Sequence, residues 1–181
     1  MITIRSGILK NKRLQTPDKN VRPTSDKIRQ AIFNVIAHGA DMPTLDDAKV
    51  LDAFAGTGAM GLEAISRGAA HGWFMEKDSA VQKILRGNLR ISDAATLLTT
   101  DTLAPPPAPS AMDFVFLDPP YGRDLIAPAI TALQKAGWIS TQTMIVIECD
   151  ADENIAPPDD FKITDERKYG STKILFVRLG G

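Results

Sequence analysis

Four consecutive residues, Asp118-Pro119-Pro120-Tyr121, set a carboxylate, two rigid carbonyls and an aromatic ring side by side. These groups suit a flat ligand that carries an amine. The carboxylate and a proline carbonyl can accept both amine hydrogens while the face of Tyr121 stacks on the ring. The same tetrapeptide also fits an ordinary Pro-Pro turn followed by a core tyrosine. Its setting bears on the choice. Phe114-Val115-Phe116-Leu117 comes directly before it, a β-branched and aromatic run that reads as a buried strand. Both prolines lack an N–H and fix φ, so neither helix nor ladder continues through them. The chain therefore turns out at the strand's carboxyl end and leaves these groups on the rim.

A second junction of this kind is Asp52-Ala53-Phe54-Ala55-Gly56-Thr57-Gly58-Ala59-Met60-Gly61, between a predicted strand and a predicted helix. Gly56, Gly58 and Gly61 satisfy G-x-G-x-x-G, a spacing that permits a tight turn and close approach of a ligand to the backbone. Glu76 ends the next strand, where an acidic residue can bind ribose hydroxyls. A nicotinamide dinucleotide and S-adenosylmethionine are both compatible with this loop. Asp52 favours the second. A carboxylate at the mouth of the loop suits the ammonium of a methionine moiety but would repel a pyrophosphate at the helix N-terminus. No histidine stands in a loop suited to hydride transfer. Asp101, just past the third strand, can accept from an adenine amino group, or can simply cap a turn.

The elements that must position these residues follow from patterning. Residues 2–14 read as a small hairpin with turns at Ser6-Gly7 and Lys10-Asn11, and 15–23 as a connector broken by Pro17 and Pro23. Thr24-Ser25-Asp26 offers caps to a helix whose Ile28, Ala31, Ile32, Val35 and Ile36 share one face. Strands are predicted at 48–52, 72–76, 96–99, 114–117 and 144–148, with helices at 59–67, 79–91 and 124–135 between them. Phe161–Arg167 and Lys173–Arg178 alternate in polarity around Tyr169-Gly170-Ser171, as an antiparallel pair does. This rhythm implies an α/β fold with a doubly wound, mostly parallel sheet that ends in an antiparallel hairpin. Ligands of such sheets bind beyond the carboxyl ends of the strands, so Asp52, Glu76, Asp101 and Asp118 should converge on one rim.

Composition narrows the partners. The chain has 181 residues, 44% hydrophobic and 24% charged, with a single cysteine, Cys149, and two histidines, His38 and His71, at no ligand spacing. A disulfide is excluded and a metal site is not expected. No apolar run approaches a membrane span and no signal-peptide core is visible, which fits a cytoplasmic protein. The net charge of −1 hides an asymmetry: residues 1–30 hold Arg5, Lys10, Lys12, Arg13, Lys19, Arg22, Lys27 and Arg29 against Asp18 and Asp26. That balance of +6 leaves −7 on the remainder. A basic arm, 1–23, on an acidic body, 24–181, points to a polyanion.

With these motifs in place, the chain resembles the bacterial 16S rRNA (guanine-N2)-methyltransferase family, RsmD-like. The residues that carry the likeness are Arg22-Pro23-Thr24-Ser25-Asp26-Lys27-Ile28-Arg29, Phe33-Asn34, 52–63, Ser66-Arg67-Gly68-Ala69, 113–122, Gly137-Trp138 and Tyr169-Gly170-Ser171-Thr172. Asp-Pro-Pro-Tyr alone occurs in many amino methyltransferases; the Arg-Pro-Thr segment with its downstream Phe-Asn is far more specific. The resemblance implies a Rossmann-like class I fold, S-adenosylmethionine as cofactor, and one guanine of 16S rRNA, in an assembled or assembling small subunit, as substrate. By position it implies that Asp52, Ala53, Phe54, Gly56, Gly58, Glu76, Lys77, Asp101 and Thr102 line the cofactor. Asp118, Pro119, Pro120 and Tyr121 would hold the guanine. Arg5, Lys10, Lys12, Arg13, Arg22 and Arg29 would meet RNA. Thr3 and Asn11 depart from the family, which usually has arginine and glycine there. A monomer is expected. Two other readings stay open: a DNA amino methyltransferase, although no target-recognition domain is visible, and a ribosome-assembly factor with a vestigial methyl site.

Overall fold

Alternating short apolar strands and amphipathic helices can bury both sheet faces only if each helix crosses back over the sheet, and this dictates the architecture. A computed structural model describes residues 2–17, 26–120 and 122–180. In chain order the strands are β1 (Ile2–Thr3), β2 (Arg13–Leu14), β3 (Lys49–Asp52), β4 (His71–Met75), β5 (Ala95–Leu98), β6 (Phe114–Leu117), β7 (Met144–Asp150), β8 (Phe161–Tyr169) and β9 (Thr172–Leu179). The helices are α1 (Asp26–His38), α2 (Ala59–Ser66), α3 (Ser79–Leu89) and α4 (Ile126–Lys135). Seven strands form one sheet in the order β5-β4-β3-β6-β7-β9-β8, with antiparallel pairing at β7-β9 and β9-β8 and parallel pairing elsewhere. β1 and β2 form a separate antiparallel pair.

β3 is the switch point. It pairs in parallel with β4 on one side and with β6 on the other, so Asp52 stands in register with Phe74 and with Phe116. β6 is buried on both faces. Phe114 and Phe116 pack with Phe33 and Ile36 of α1, and Val115 and Leu117 pack with Ile130 and Leu133 of α4. The start of α4 differs from expectation. Asp124 has φ 47, a left-handed conformation that no helix residue can hold, and α4 starts at Ile126. α3 is capped by Asp78, whose Oδ1 accepts from the N–H of Ala80 at 2.8 Å and of Val81 at 3.0 Å. The expected caps Thr24 and Ser25 lie outside the described residues.

The hairpin is docked. Ile2, Ile4, Leu9 and Leu14 are buried against Leu62 and Ile65 of α2 and Leu85 of α3. Glu63, with no exposed surface, accepts the N–H of Arg5 at 2.8 Å and of Ser6 at 3.1 Å. Ser66 takes the N–H of Ile8 on its carbonyl at 2.8 Å and that of Leu9 on its hydroxyl at 2.9 Å. Gly7, at φ 79, presses so closely on Ser66 that a Cβ would lie 1.5 Å from the Ser66 carbonyl oxygen. Asn11 adopts φ 70, a left-handed conformation that asparagine tolerates best among residues other than glycine.

The structure corrects one expected RNA contact. Arg29 is completely buried. Its guanidinium pairs with Asp26 at 2.6 Å and Glu63 at 3.6 Å and donates to the Thr3 carbonyl at 2.8 Å. Desolvation lowers its pKa. No phosphate can reach it; it ties α1 to α2 and to β1. Arg5 also pairs with Asp26, though its side chain stays partly exposed, while Lys10, Lys12 and Arg13 are exposed. Removing Glu63 leaves the buried Arg29 with Asp26 as its one carboxylate partner among the described residues and strands two hairpin amides. Glu63→Ala should therefore cost about 3–5 kcal/mol in urea denaturation. A loss below about 1 kcal/mol, the range of a surface pair, would show that the buried cluster does not hold the hairpin.

Candidate active site

The parallel register of β3, β4, β5 and β6 ends all four strands on one side, and a cavity of about 550 Å³ opens there. Asp52, Glu76, Asp101 and Asp118 all line it, one from each strand end. Ala53, Phe54, Gly56, Lys77, Thr102, Pro119 and Pro120 line it as well. Tyr121 and Arg22 lie outside the described residues. Gly58 is the exception among the expected cofactor residues: it is buried beneath the loop and does not line the cavity. It stands at φ 79 immediately before α2, and a Cβ there would meet Leu85 Cδ1 at 2.7 Å. Its role is close packing. Gly61 shares it, since a Cβ would lie 2.4 Å from the Phe74 ring.

Backbone bonds to both neighbours of β3 hold the loop open. The N–H of Ala53 donates to the Phe116 carbonyl at 3.0 Å and that of Ala55 to the Met75 carbonyl at 2.9 Å. Glu76 accepts the N–H of Gly56 at 3.1 Å and of Asp78 at 2.8 Å. A carboxylate offers about four acceptor directions, so Glu76 keeps capacity for two hydroxyls. The Thr102 hydroxyl points down to the Ala53 carbonyl, which makes Thr102 a fastener of the cavity floor. Asp101 is bound by the N–H of Leu103 at 3.0 Å and by Lys77 at 3.1 Å. The Leu103 bond first, and Lys77 second, hold its pKa below the usual value.

Asp52 behaves in the opposite sense. Its carboxyl is fully desolvated, accepts the N–H of Gly61 at 3.0 Å, and feels the negative charge of Asp118 and Glu76. Burial, reinforced by those like charges, raises its pKa from 3.8 to about 7. The folded protein thus binds this proton more tightly than the unfolded chain does. Between pH 4 and 7 the carboxyl weakens the fold as pH rises. A cation beside Asp52 reverses that.

Sequence reasoning missed Asn88. Buried on α3, it accepts the N–H of Gln15 at 2.8 Å and donates to the carbonyls of Gln15 at 3.0 Å and Thr57 at 2.9 Å. One carboxamide thus clamps the exit of the hairpin to the glycine loop. A polar residue beside Leu85 and Leu89 on an apolar helical face is the available signal. Ile2, Thr16 and Pro17 also line the cavity and bring the hairpin and its connector to the site.

A ribosomal RNA small subunit methyltransferase D of Escherichia coli is 35% identical over 160 residues, 85% of this chain and 77% of the relative. The protein of that name from Haemophilus influenzae is 30% identical over 177 residues, 93% and 89% of the two chains. The solved structure of a candidate methyltransferase from Escherichia coli, yhhF, superposes with TM-score 0.84 at 31% identity and covers 99% of this chain and 98% of that one. A family model described as conserved hypothetical protein 95 matches residues 2–178. The chain belongs to that family, in which the ribosomal RNA small subunit methyltransferases D also fall.

Proposed function

We propose that the chain methylates the exocyclic N2 amine of one guanine in 16S rRNA, with S-adenosylmethionine as donor. The observation that carries this is the convergence of Asp52, Glu76, Asp101 and Asp118 on one cavity, with Pro119 and Pro120 in its wall. The cavity's residues suit that donor. Asp52 is a buried carboxylate crowded by two others, which fits an ammonium; Glu76 has acceptor capacity for ribose hydroxyls; the Asp101 carboxylate can accept from an adenine amine. S-adenosylmethionine supplies an electrophilic methyl on a sulfonium.

The remaining chemistry is positioning. A base amine is a poor nucleophile because its lone pair is delocalised into the ring. Asp118 and the Pro119 carbonyl accept its two hydrogens, draw the nitrogen toward tetrahedral geometry and aim the lone pair. Tyr121 holds the unstacked base by its face. The product cation is acidic, and Asp118 or water takes its proton. Lys10, Lys12 and Arg13 on the docked hairpin, with Arg5 and Arg22, meet the rRNA backbone. The substrate is an assembled or assembling small subunit, and the enzyme acts as a cytoplasmic monomer, with 1–23 as the RNA arm and 24–181 as the catalytic domain. Among the described residues no helix is long and apolar enough to cross a membrane, and no group of three or more His, Cys, Asp or Glu is placed to hold a metal.

Tritiated S-adenosylmethionine offered with undermodified 30S subunits, naked 16S rRNA and duplex DNA tests this reading. Label should enter guanine N2 of rRNA and not DNA, and Asp118→Ala should lower transfer by at least about 100-fold while retaining cofactor affinity. Label in DNA alone would make the chain a DNA enzyme, and RNA binding without label would make it an assembly factor. The Asp52 carboxyl gives an independent measurement. Because an ammonium needs the ionised form, affinity for S-adenosylhomocysteine should rise about tenfold per pH unit below 7 and level off above it, with a proton released on binding at pH 6. Asp52→Asn should bind weakly at every pH. Equal affinity at pH 5.5 and 8 would remove Asp52 from the ammonium site.

A further inference from the structure

Helix α3 carries a charge pattern that the proposed reaction does not use. Between Ser79 and Arg90 the chain holds Lys83, Arg86 and Arg90 and no acidic residue. Spacings of three and four place the three cations on one helical face, and all three are exposed. None makes an ion pair or a side-chain hydrogen bond among the described residues. Elsewhere the pattern differs: Arg29 and Arg67 are paired with Glu63, Lys77 with Asp101, Arg167 with Asp165 and Lys168 with Glu166. Among the described residues of the body, Lys27, Arg123, Lys135 and Lys162 also lack an ion pair or side-chain hydrogen bond, but they stand singly on separate segments. A position near the helix C-terminus favours Arg86 and Arg90, but Lys83 lies in mid-helix and gains nothing from it.

The helix that carries this face adjoins the hairpin and the site, and Gly87, beside Lys83 on its flank, faces the hairpin: a Cβ there would lie 3.7 Å from Gln15 Oε1. Asn88 bonds both backbone groups of Gln15, which fixes the end of β2, with exposed Arg13 two residues earlier, against α3. At its other end α3 starts beside the cavity, where Asp78 and Val81 line the wall. The cations recur about every 5 Å along the helix axis. A nucleic-acid strand, with a phosphate every few ångströms, can follow such a row.

We propose that Lys83, Arg86 and Arg90 form a second phosphate-binding row, continuous with Lys10, Lys12 and Arg13, along which the rRNA backbone leaves the active site. The inference rests on rRNA as the substrate class. It places the footprint on the α3 edge of the molecule, away from β8 and β9.

Salt titrations of binding to naked 16S rRNA and to undermodified 30S subunits test it. The K83Q/R86Q/R90Q variant should weaken binding at least tenfold and make the slope of log K against log salt shallower by about 2, at roughly 0.7 for each phosphate no longer neutralised. The charge-preserving K83R/R86K/R90K variant should keep the wild-type slope. Affinity for S-adenosylhomocysteine should be unchanged in both, which reports an intact fold and cofactor site. An unchanged slope in the glutamine variant on both RNA substrates would overturn the row, even if the wild type methylates rRNA normally. A wild type that binds with a steep slope, becomes shallower in the glutamine variant and transfers no label would instead support the row and defeat the methylation reading.

Discussion

Placing three carboxylates within mutual electrostatic reach is costly unless a cation visits them, and this protein builds that cost into the centre of its sheet. β3 must be central because β4 and β6 pair with its two edges, so Asp52 at its end is stripped of water. The same parallel register sends Glu76 and Asp118 to the same rim. A rise in pKa from 3.8 to about 7 corresponds to on the order of 4 kcal/mol of discrimination against the ionised carboxyl. Carboxylates gathered on one rim favour a cationic group over a phosphate on electrostatic grounds, unlike a glycine loop that cradles a pyrophosphate.

The basic hairpin is part of the body of the fold, because it is pinned at its tip and at its exit. At its tip, Gly7 lies against Ser66 while Glu63 takes the amides of Arg5 and Ser6. At its exit, Asn88 bonds Gln15 and Thr57 together. Thr57 belongs to the glycine loop, so the basic strand and the cofactor loop share one hydrogen-bonded side chain. Displacing the hairpin would break these polar contacts and expose Ile4 and Leu14. The hairpin is part of the wall of the site, as Ile2 shows by lining the cavity.

What can be read from the sequence is local. Strand runs that end at Asp52, Glu76 and Asp118 reveal themselves as short apolar stretches, the first followed by a glycine loop and the last by two prolines, and the topology then brings the ends together. Gly58 and Gly61 are visible as a motif, but their role depends on Leu85 and the Phe74 ring, side chains many residues away. Arg29 misleads for the same reason. A cation in a basic stretch looks exposed until Glu63, on another helix, is found beneath it. Asn88 and the left-handed Asp124 have no periodic signature; one is a polar interruption of an apolar stripe and the other a turn conformation fixed by the chain's exit from the rim.

Burying Arg29 changes the charge argument as well as a residue assignment. The excess of +6 over the first thirty residues suggests an arm that binds polyanions through its own sequence. With Arg29 neutralised by Asp26 and Glu63, and Arg5 sharing Asp26, the cations of the docked hairpin without a partner among the described residues are Lys10, Lys12 and Arg13. Three exposed cations make a small footprint for a folded RNA, whose affinity grows with the number of phosphates neutralised. The molecule restores the footprint in space: docking sets β2 against α3, whose exposed face carries cations with no partner among the described residues, and no acid. The basic surface that the sequence displays as a continuous run is, in the fold, assembled from two segments some seventy residues apart, held together by Asn88.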